Sequence, residues 1–408
     1  MEHDLSYTFP TISKFSDIEP FIRNRPEFVK VERDLYDIVT YTHMAPNTFP
    51  DFSEEPTTAA ILRECRGLVF DKEGDIISRR FHKFFNYGER AELQGVELDL
   101  SSCRVTMKHD GSMVSPFPVL RKGGYGFRLM TKGGITDVSL QAERFLSSME
   151  KRQFEAFREF FNACLDLNET PIFEYVAPSN RIVVKYDQPR FILIGIRRNF
   201  DGSYWECTGN RNTNAGAEAV NRWINLASGG SFENGLNEVE GLNKTSLQDL
   251  YHQIRLMKGI EGFVLRTRAG HRLKFKSEEY VLFHKTKDSM SRECDVATMI
   301  LTDKIDDLMG LLSPEDHAIV HRYTRSLLQS VDAFVRSVSL ERNVWDTRKE
   351  FSLNCGEHPL VKSCVFAIWE APPSEHRERI VKVLLKECNN KKDYENMKDV
   401  VAPNLRFV

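Results

Sequence analysis

Short apolar runs with strand-like alternation and turn residues between them fill the first two-thirds of the chain. RGLVF (66–70) and DIISRRF (75–81) flank Lys72-Glu73-Gly74, which predicts a β-hairpin closed by a tight turn. Further strands are predicted at RVTM (104–107), YGFRLMT (125–131), PIFEYV (171–176), RIVVKY (181–186), RFILIGI (190–196) and SYWEC (203–207). Gly and Asp turns separate several of them, as at Arg121-Lys122-Gly123-Gly124 and Asp201-Gly202. Phe145, Met149, Phe157, Phe160 and Phe161 recur at roughly helical spacing and predict a helix over 139–163. Such a row of rings reads either as a stacking platform or as a core face, and the helical period favours the core. Between 210 and 244 the composition shifts to Asn, Gly and Ser, with an Ala-rich stretch at 215–226 that fits a short helix; this reads as an excursion loop. A helix near 246–257 leads into strands GFVLR (262–266) and HRLKFK (271–276), joined through Ala269-Gly270.

Beyond about residue 290 the strand signals stop. Ser313-Pro314-Glu315-Asp316 combines an N-cap serine, a proline at the first helical position and acids in the first turn. From Ile319 to Val338 the apolar residues, Val320, Tyr323, Leu327, Val331 and Phe334 among them, mark one long helical face. Another helix carries Ile380, Val381, Leu384, Leu385 and Cys388 inward, with Lys382 and Lys386 outward. The expected fold is therefore α+β over residues 1–290, antiparallel sheets with flanking helices, followed by an all-helical domain over 291–408. A basic face on that second domain is expected around Arg377, Lys382, Lys386, Lys391 and Lys392, where helical spacing puts 382 and 386 together.

Composition narrows the function classes. At 408 residues, with 41% hydrophobic and 28% charged residues, the chain is that of a core-burying protein of two or three domains. Lys and Arg total 56 against 59 Asp and Glu, which excludes a polycationic nucleic-acid coat but leaves room for a local basic cleft. Apolar runs such as Phe191–Ile194 fall far short of the ~20 residues that span a bilayer, and the opening MEHDLSYTFP lacks the apolar stretch of a secretory signal. The 8 cysteines are scattered without a CxxC pair, which reads as reduced thiols with neither a zinc site nor a disulfide framework. A soluble, cytoplasmic protein is expected.

The sharpest local feature is Lys108-His109-Asp110-Gly111-Ser112 at the end of the strand RVTM. A strand can fix a lysine amine while a Gly-Ser turn lets a phosphate approach the backbone, which suits nucleophilic attack. A surface turn is the alternative reading of the motif taken alone. Three further segments follow it in order: FEYVAPSNRIV (173–183), Glu261-Gly262-Phe263-Val264-Leu265-Arg266, and Lys274-Phe275-Lys276. With them the chain resembles the covalent nucleotidyltransferases, that is, RNA ligases, DNA ligases and mRNA capping enzymes, in which K-x-D-G carries the lysine that bonds to a nucleotide phosphate. ECRGLVFD (64–71), KFFNYGE (83–89), K-x-K-S-E-E-Y (274–280) and the helical tail resemble the phage tRNA-repair ligases of the RNA ligase 1 class more narrowly. DNA ligases and capping enzymes usually carry a β-rich OB-fold after the last motif, and fungal tRNA ligases usually have Asn where this chain has Asp110. The competing assignments are a fungal-type tRNA ligase module, a GTP-dependent capping guanylyltransferase, and a non-catalytic RNA-binding protein on a ligase scaffold.

The resemblance implies an ATP-dependent RNA ligase that uses Mg²⁺ (or Mn²⁺) and joins a 5′-phosphate to a 3′-OH through lysine–AMP and RNA–adenylate intermediates. The RNA it implies is a tRNA broken in the anticodon loop, sealed after a separate end-healing polynucleotide kinase/phosphatase has acted. Lys108 is then the nucleophile. Attack needs the neutral amine, so neighbouring cations and metal must act against the ordinary lysine pKa of about 10.4. Lys274 and Lys276 share a strand face and would clamp the phosphates. Arg66, Lys83 and Lys132 are implied as further nucleotide contacts, or else as solvated surface charge. Glu174 interrupts an apolar strand, so it needs a partner: the nucleotide ribose and substrate chemistry by the resemblance, a structural salt bridge otherwise. Glu261 is implied to bind the metal directly or through water. Asp306 and Asp307 are candidate metal ligands by position, or a solvated helix face. Tyr41 and Phe85 are implied near the nucleotide as rings able to stack on adenine, with core burial the alternative for Phe85. Tyr280 is implied beside the nucleotide or the RNA end. His109 and His271 flank motifs, but nothing demands a base from them.

Overall fold

A computed structural model describes residues 8–45, 47–90, 98–121, 124–180, 183–205, 231–290, 292–309, 312, 314–356 and 358–407. The chain divides into two compact units, one ending at Val281 and one beginning at Leu282. The division falls within the helix Glu278–Met290, rather than at its end near residue 290.

The first unit is built on three sheets. Strands β1 (Phe28–Glu32), β2 (Asp37–Tyr41), β3 (Arg66–Phe70) and β4 (Ile76–Ser78) form an antiparallel sheet in sequence order. The predicted hairpin joins β3 and β4, and the Asp71 carboxylate shapes its turn by accepting the N–H groups of Glu73 (3.1 Å) and Asp75 (2.8 Å). Strands β5 (Arg104–Lys108), β6 (Ser112–Arg121), β7 (Gly124–Met130), β8 (Glu169–Val176), β9 (Arg190–Arg198), β10 (Phe232–Asn234), β11 (Gly262–Arg266) and β12 (Arg272–Lys276) make up the other two. One is five-stranded in the order β10-β9-β8-β6-β7, antiparallel but for β10, which runs parallel to β9. The other is an antiparallel three-stranded sheet in the order β12-β11-β5.

The aromatic stripe is a core face. Phe157, Phe160, Phe173 and Phe191 are buried together over the five-stranded sheet, and Phe145 stacks on Phe191 at 5.7 Å between ring centroids. The expected single helix over 139–163 is two, Asp137–Ser148 and Lys151–Asp166, with Met149 and Glu150 extended between them. The hydroxyls of Ser147 and Ser148 donate to the carbonyls of Glu143 (2.8 Å) and Phe145 (2.7 Å), competition of the kind that ends helices at serine. Two expected strands are also corrected. Residues 183–186 form no strand, since the amides of Val183 and Val184 go to a carboxylate instead of a ladder (Arg181 and Ile182 lie outside the described residues). SYWEC reduces to one bridge between Tyr204 and Arg197, with Glu206 and Cys207 outside the described residues, as is the Ala-rich stretch 215–226.

The second unit is helical throughout its described elements. On Pro314–Val344, Val320, Tyr323, Leu327, Val331, Phe334 and Val338 are buried with Ile368, Ile380 and Leu384 of other helices, the faces that the periodicity predicts. Glu293 ties three of these helices: its carboxylate accepts the hydroxyls of Tyr323 (3.0 Å) and Tyr394 (3.1 Å) and pairs with Lys398 (3.0 Å). The expected basic face is partly neutralised, because Arg377 pairs with Asp332 at 3.0 Å and Lys382 with Glu378 at 2.7 Å. Among the described residues no helix is long and apolar enough to cross a membrane.

In the first unit a fully buried carboxylate holds distant segments together. Glu64 ends the helix Pro56–Glu64; it pairs with Arg197 of β9 through two bonds (2.7 and 2.8 Å) and with Arg79 (3.1 Å), all three side chains at 0% exposure. Arg79 also donates to the carbonyls of Asn199, Phe200 and Pro10, and Arg197 to those of Gly202 and Arg80. Burial alone would raise the Glu64 pKa, but the two guanidinium groups more than offset it and hold it below the ordinary glutamate value. Glu64→Gln should leave two buried cations undercompensated and cost about 3–5 kcal/mol, read as a lower urea midpoint with unchanged slope. The sign with pH follows from the depressed pKa: the stabilisation is present above the unfolded glutamate pKa of about 4.3 and is lost as pH falls through the folded value, so the wild-type advantage should shrink towards acid.

Candidate active site

The register of the three-stranded sheet assembles the motif residues. Gly262 pairs with Lys108 on one side and with Lys276 on the other; two residues along, Val264 pairs with Thr106 and Lys274. Cross-strand partners and i, i+2 neighbours share a face, so Lys108, Lys274 and Lys276 project together. Gly262 has φ +150°, and a Cβ there would lie 1.9 Å from the carbonyl oxygen of Phe275, so only glycine permits this rung. Gly111 is also needed for packing: a Cβ would lie 2.5 Å from the carbonyl oxygen of Tyr175 on β8.

Glu261, immediately before β11 and 4% exposed, joins the two ends of the rung. Its Oε1 is 2.7 Å from Lys108 Nζ and 3.2 Å from Lys276 Nζ. The lysines face a cavity of about 280 Å³ that is also lined by Arg66, Thr106, Met113 and Glu174. Glu174 enters from β8 as the half-buried position in an otherwise buried strand. Burial, reinforced by the Glu261 and Asp110 charges and opposed by Lys108, pushes its carboxyl up to about 7, and no hydrogen bond or ion pair reaches it among the described residues. Among the described residues Glu174 has no salt-bridge partner, and its carboxyl lines the cavity.

Cations outnumber acids around this cavity. Lys274 is held well below the ordinary lysine value by burial first and then by Arg66, Lys83, Lys108 and Lys276, with its ammonium 4.6 Å from the Phe84 ring centroid. Burial also brings Lys83 down to about 8 and lowers Lys132, each with Arg66 as a neighbouring charge. No carboxylate pairs with Arg66, Lys83, Lys132 or Lys274 among the described residues. Like charges held together with fewer acids than cations in a half-buried site make a receptor for a polyanion.

The remaining expected site residues are placed as follows. Tyr41 is half-buried, with Lys132 Nζ 3.9 Å from its ring centroid. Phe85 is 2% exposed and edge-on to Phe49, with Lys83 Nζ 4.8 Å from its centroid, so it supports the lysine and has no free face for a base. Tyr280 is buried, its hydroxyl donating to Asp110 Oδ1 at 2.8 Å and Lys276 Nζ 5.0 Å from its ring. It is not among the residues that line the cavity. Asp306, exposed, and Asp307 lie on the short helix Ile305–Met309 of the second unit. Among the described residues no group of three or more His, Cys, Asp or Glu suits a metal by itself. A divalent ion shared with phosphates fits better: Glu174 and Glu261 are near enough for each charge to act on the other, and Glu174 lacks a partner. His109 lines the cavity, and His271 is buried against Phe9. Two residues given no role by sequence reasoning adjoin the site: Asp110, whose only signal is its place in K-x-D-G, and Tyr186, which has none.

The description "RNA ligase" belongs to the family model that matches residues 64–287, a span containing Lys108, Glu174, Glu261, Lys274 and Lys276. An RNA ligase of Rhodothermus phage RM378 is 28% identical over 357 aligned residues, covering 71% of this chain and 77% of its own. A candidate RNA ligase of Thermovibrio ammonificans is 32% identical over 181 residues, covering 44% of this chain and 43% of that protein. A candidate bifunctional polynucleotide kinase/RNA ligase of Autographa californica nuclear polyhedrosis virus is 24% identical over 281 residues, covering 64% of this chain. The chain spans less than half the length of these last two relatives, 43% and 36%. With the family model matched over more than half of its residues, this chain belongs to the RNA ligase family.

Proposed function

We propose that this protein is an ATP-dependent RNA ligase that seals a 5′-phosphate to a 3′-OH. The observation that carries the reading is Glu261 bridging Lys108 and Lys276 at the edge of a cavity onto which Arg66 and Lys274 also open, neither paired with a carboxylate among the described residues. In the first step Lys108 Nζ attacks the α-phosphorus of ATP; a P–N bond forms, the P–O bond to pyrophosphate breaks, and the amine proton has Glu261 Oε1 2.7 Å away to receive it. Lys274, Lys276 and Arg66 balance the charge of the bound triphosphate and of the leaving pyrophosphate. Glu174, ionised above about pH 7, accepts a hydrogen bond from the nucleotide ribose. An RNA 5′-phosphate then displaces Lys108 from AMP, and the RNA 3′-OH displaces AMP to close the strand. Glu174, Glu261 and the nucleotide phosphates would hold the Mg²⁺ or Mn²⁺ ion, which supplies charge neutralisation at the transferring phosphate. Asp306 and Asp307 are further candidate ligands. The substrate class we favour is a tRNA broken in its anticodon loop, with the helical unit as an RNA-specificity module and a separate kinase/phosphatase preparing the ends. The match to a relative named for both polynucleotide kinase and ligase supports that link, and the phage relative supports action in a host cytoplasm.

Lys108→Ala should abolish covalent labelling by α-labelled ATP with a divalent metal on a denaturing gel, while sealing of a pre-adenylated strand persists. Labelling of the mutant, or labelling of the wild type by GTP in preference to ATP, would reject the assignment.

ATP affinity should weaken several-fold as pH rises from 7 to 9, because Lys83, with its pKa near 8, loses the charge that it adds beside Lys274. In Lys83→Arg, whose guanidinium stays charged, that decline should flatten. Equilibrium ATP binding at each pH measures it, and an equal decline in both proteins would remove Lys83 from the phosphate site.

A further inference from the structure

Asp110 is 1% exposed, so its carboxylate is committed to the protein. Oδ2 accepts the backbone N–H groups of Val183 and Val184, both at 2.7 Å, and Oδ1 accepts the Tyr280 hydroxyl at 2.8 Å. In the opposite sense, the Asp110 N–H donates to the Tyr186 hydroxyl at 3.1 Å. The segment 183–186 is thus fastened to the nucleophile turn twice, by amides to the carboxylate and by a phenol to the amide. Tyr280 fastens the same carboxylate to the chain after Lys276: its N–H bonds to Ser277 Oγ (3.2 Å), whose hydroxyl donates to the Ile260 carbonyl (2.8 Å), next to Glu261. Lys108 and Glu261, 2.7 Å apart, are therefore both anchored to Asp110.

Tyr186 differs from the residues that would meet substrate. It does not line the cavity. Burial, with the charges of Asp110, Glu174 and Glu261, pushes its phenol up to about 12, so it stays a neutral hydroxyl across the working pH range. Without that hydroxyl the Asp110 amide loses its acceptor, and the turn two residues after Lys108 loses one of its fixed points.

We propose that Tyr186 is a positioning residue for lysine adenylylation, acting through the Asp110 amide on the turn that carries Lys108 without touching the nucleotide. The proposal rests on the ligase reading above. It separates two steps: a misplaced Lys108 slows transfer of AMP to the lysine, whereas joining a pre-adenylated strand bypasses the lysine.

The test is full-length Tyr186→Phe beside wild type, with single-turnover labelling by ATP and sealing of a chemically pre-adenylated RNA. The expected result is about tenfold slower labelling at saturating ATP, the worth of one hydrogen bond of ordinary net strength, with the ATP concentration dependence and the pre-adenylated sealing rate each within about twofold of wild type. Unchanged labelling overturns the proposal. So does an equal loss in both steps or a loss of cooperative melting, either of which marks a general structural role, and so does a weaker ATP dependence at unchanged maximal rate, which marks a direct contact. Failure of the wild-type protein to label would reject the ligase reading itself and is read on the control, independently of the variant.

Discussion

The pairing register of three strands is the constraint on which the site depends. With Gly262 opposite both Lys108 and Lys276, two ammonium groups reach one carboxylate, Glu261, from the two strands that flank β11. A slip of one residue in β12 would turn Lys274 and Lys276 towards the hydrophobic core and bring Phe275 to the cavity face. The glycine at 262 guards that register, because any other residue would drive its Cβ into the backbone of Phe275.

Two ways of handling buried charge coexist in the first unit. Around Glu64, each guanidinium finds a carboxylate and several carbonyls, so the charge is spent on joining a helix to β9 and to the segment after β4. Around Lys274 the cations face one another, and Glu174, which lines the same cavity, is itself pushed towards its neutral form. Such a site is destabilising when empty of anions and gains most from one that brings several negative charges together, as a nucleotide triphosphate does.

The K-x-D-G turn divides its labour along the same line. Lys108 and Gly111 line the cavity, while Asp110 faces the protein: the aspartate gathers three donors, and the glycine also lets the Tyr175 carbonyl approach. A contiguous motif thus encodes both a reactive group and the packing that aims it.

Much was legible in the chain alone because it rests on short-range rules. Period-2 runs marked most of the strands, Lys72-Glu73-Gly74 marked a turn, and helical spacing placed Phe157, Tyr323 and Leu384 in cores, since burial selects those periods. The ordered motifs likewise named Lys108, Glu261, Lys274 and Lys276 as neighbours before any register was known. What escaped depends on partners far away in sequence. RIVVKY has strand composition, yet 183–186 is not a strand, because a carboxylate more than seventy residues earlier takes its amides. Phe85 reads equally well as a stacking ring or a core ring until Phe49 closes over it. Tyr186 carries no local signal at all. Composition and periodicity record how each segment meets water, whereas the identity of a buried donor's acceptor is decided only when the sheets close, and only tertiary structure made that choice.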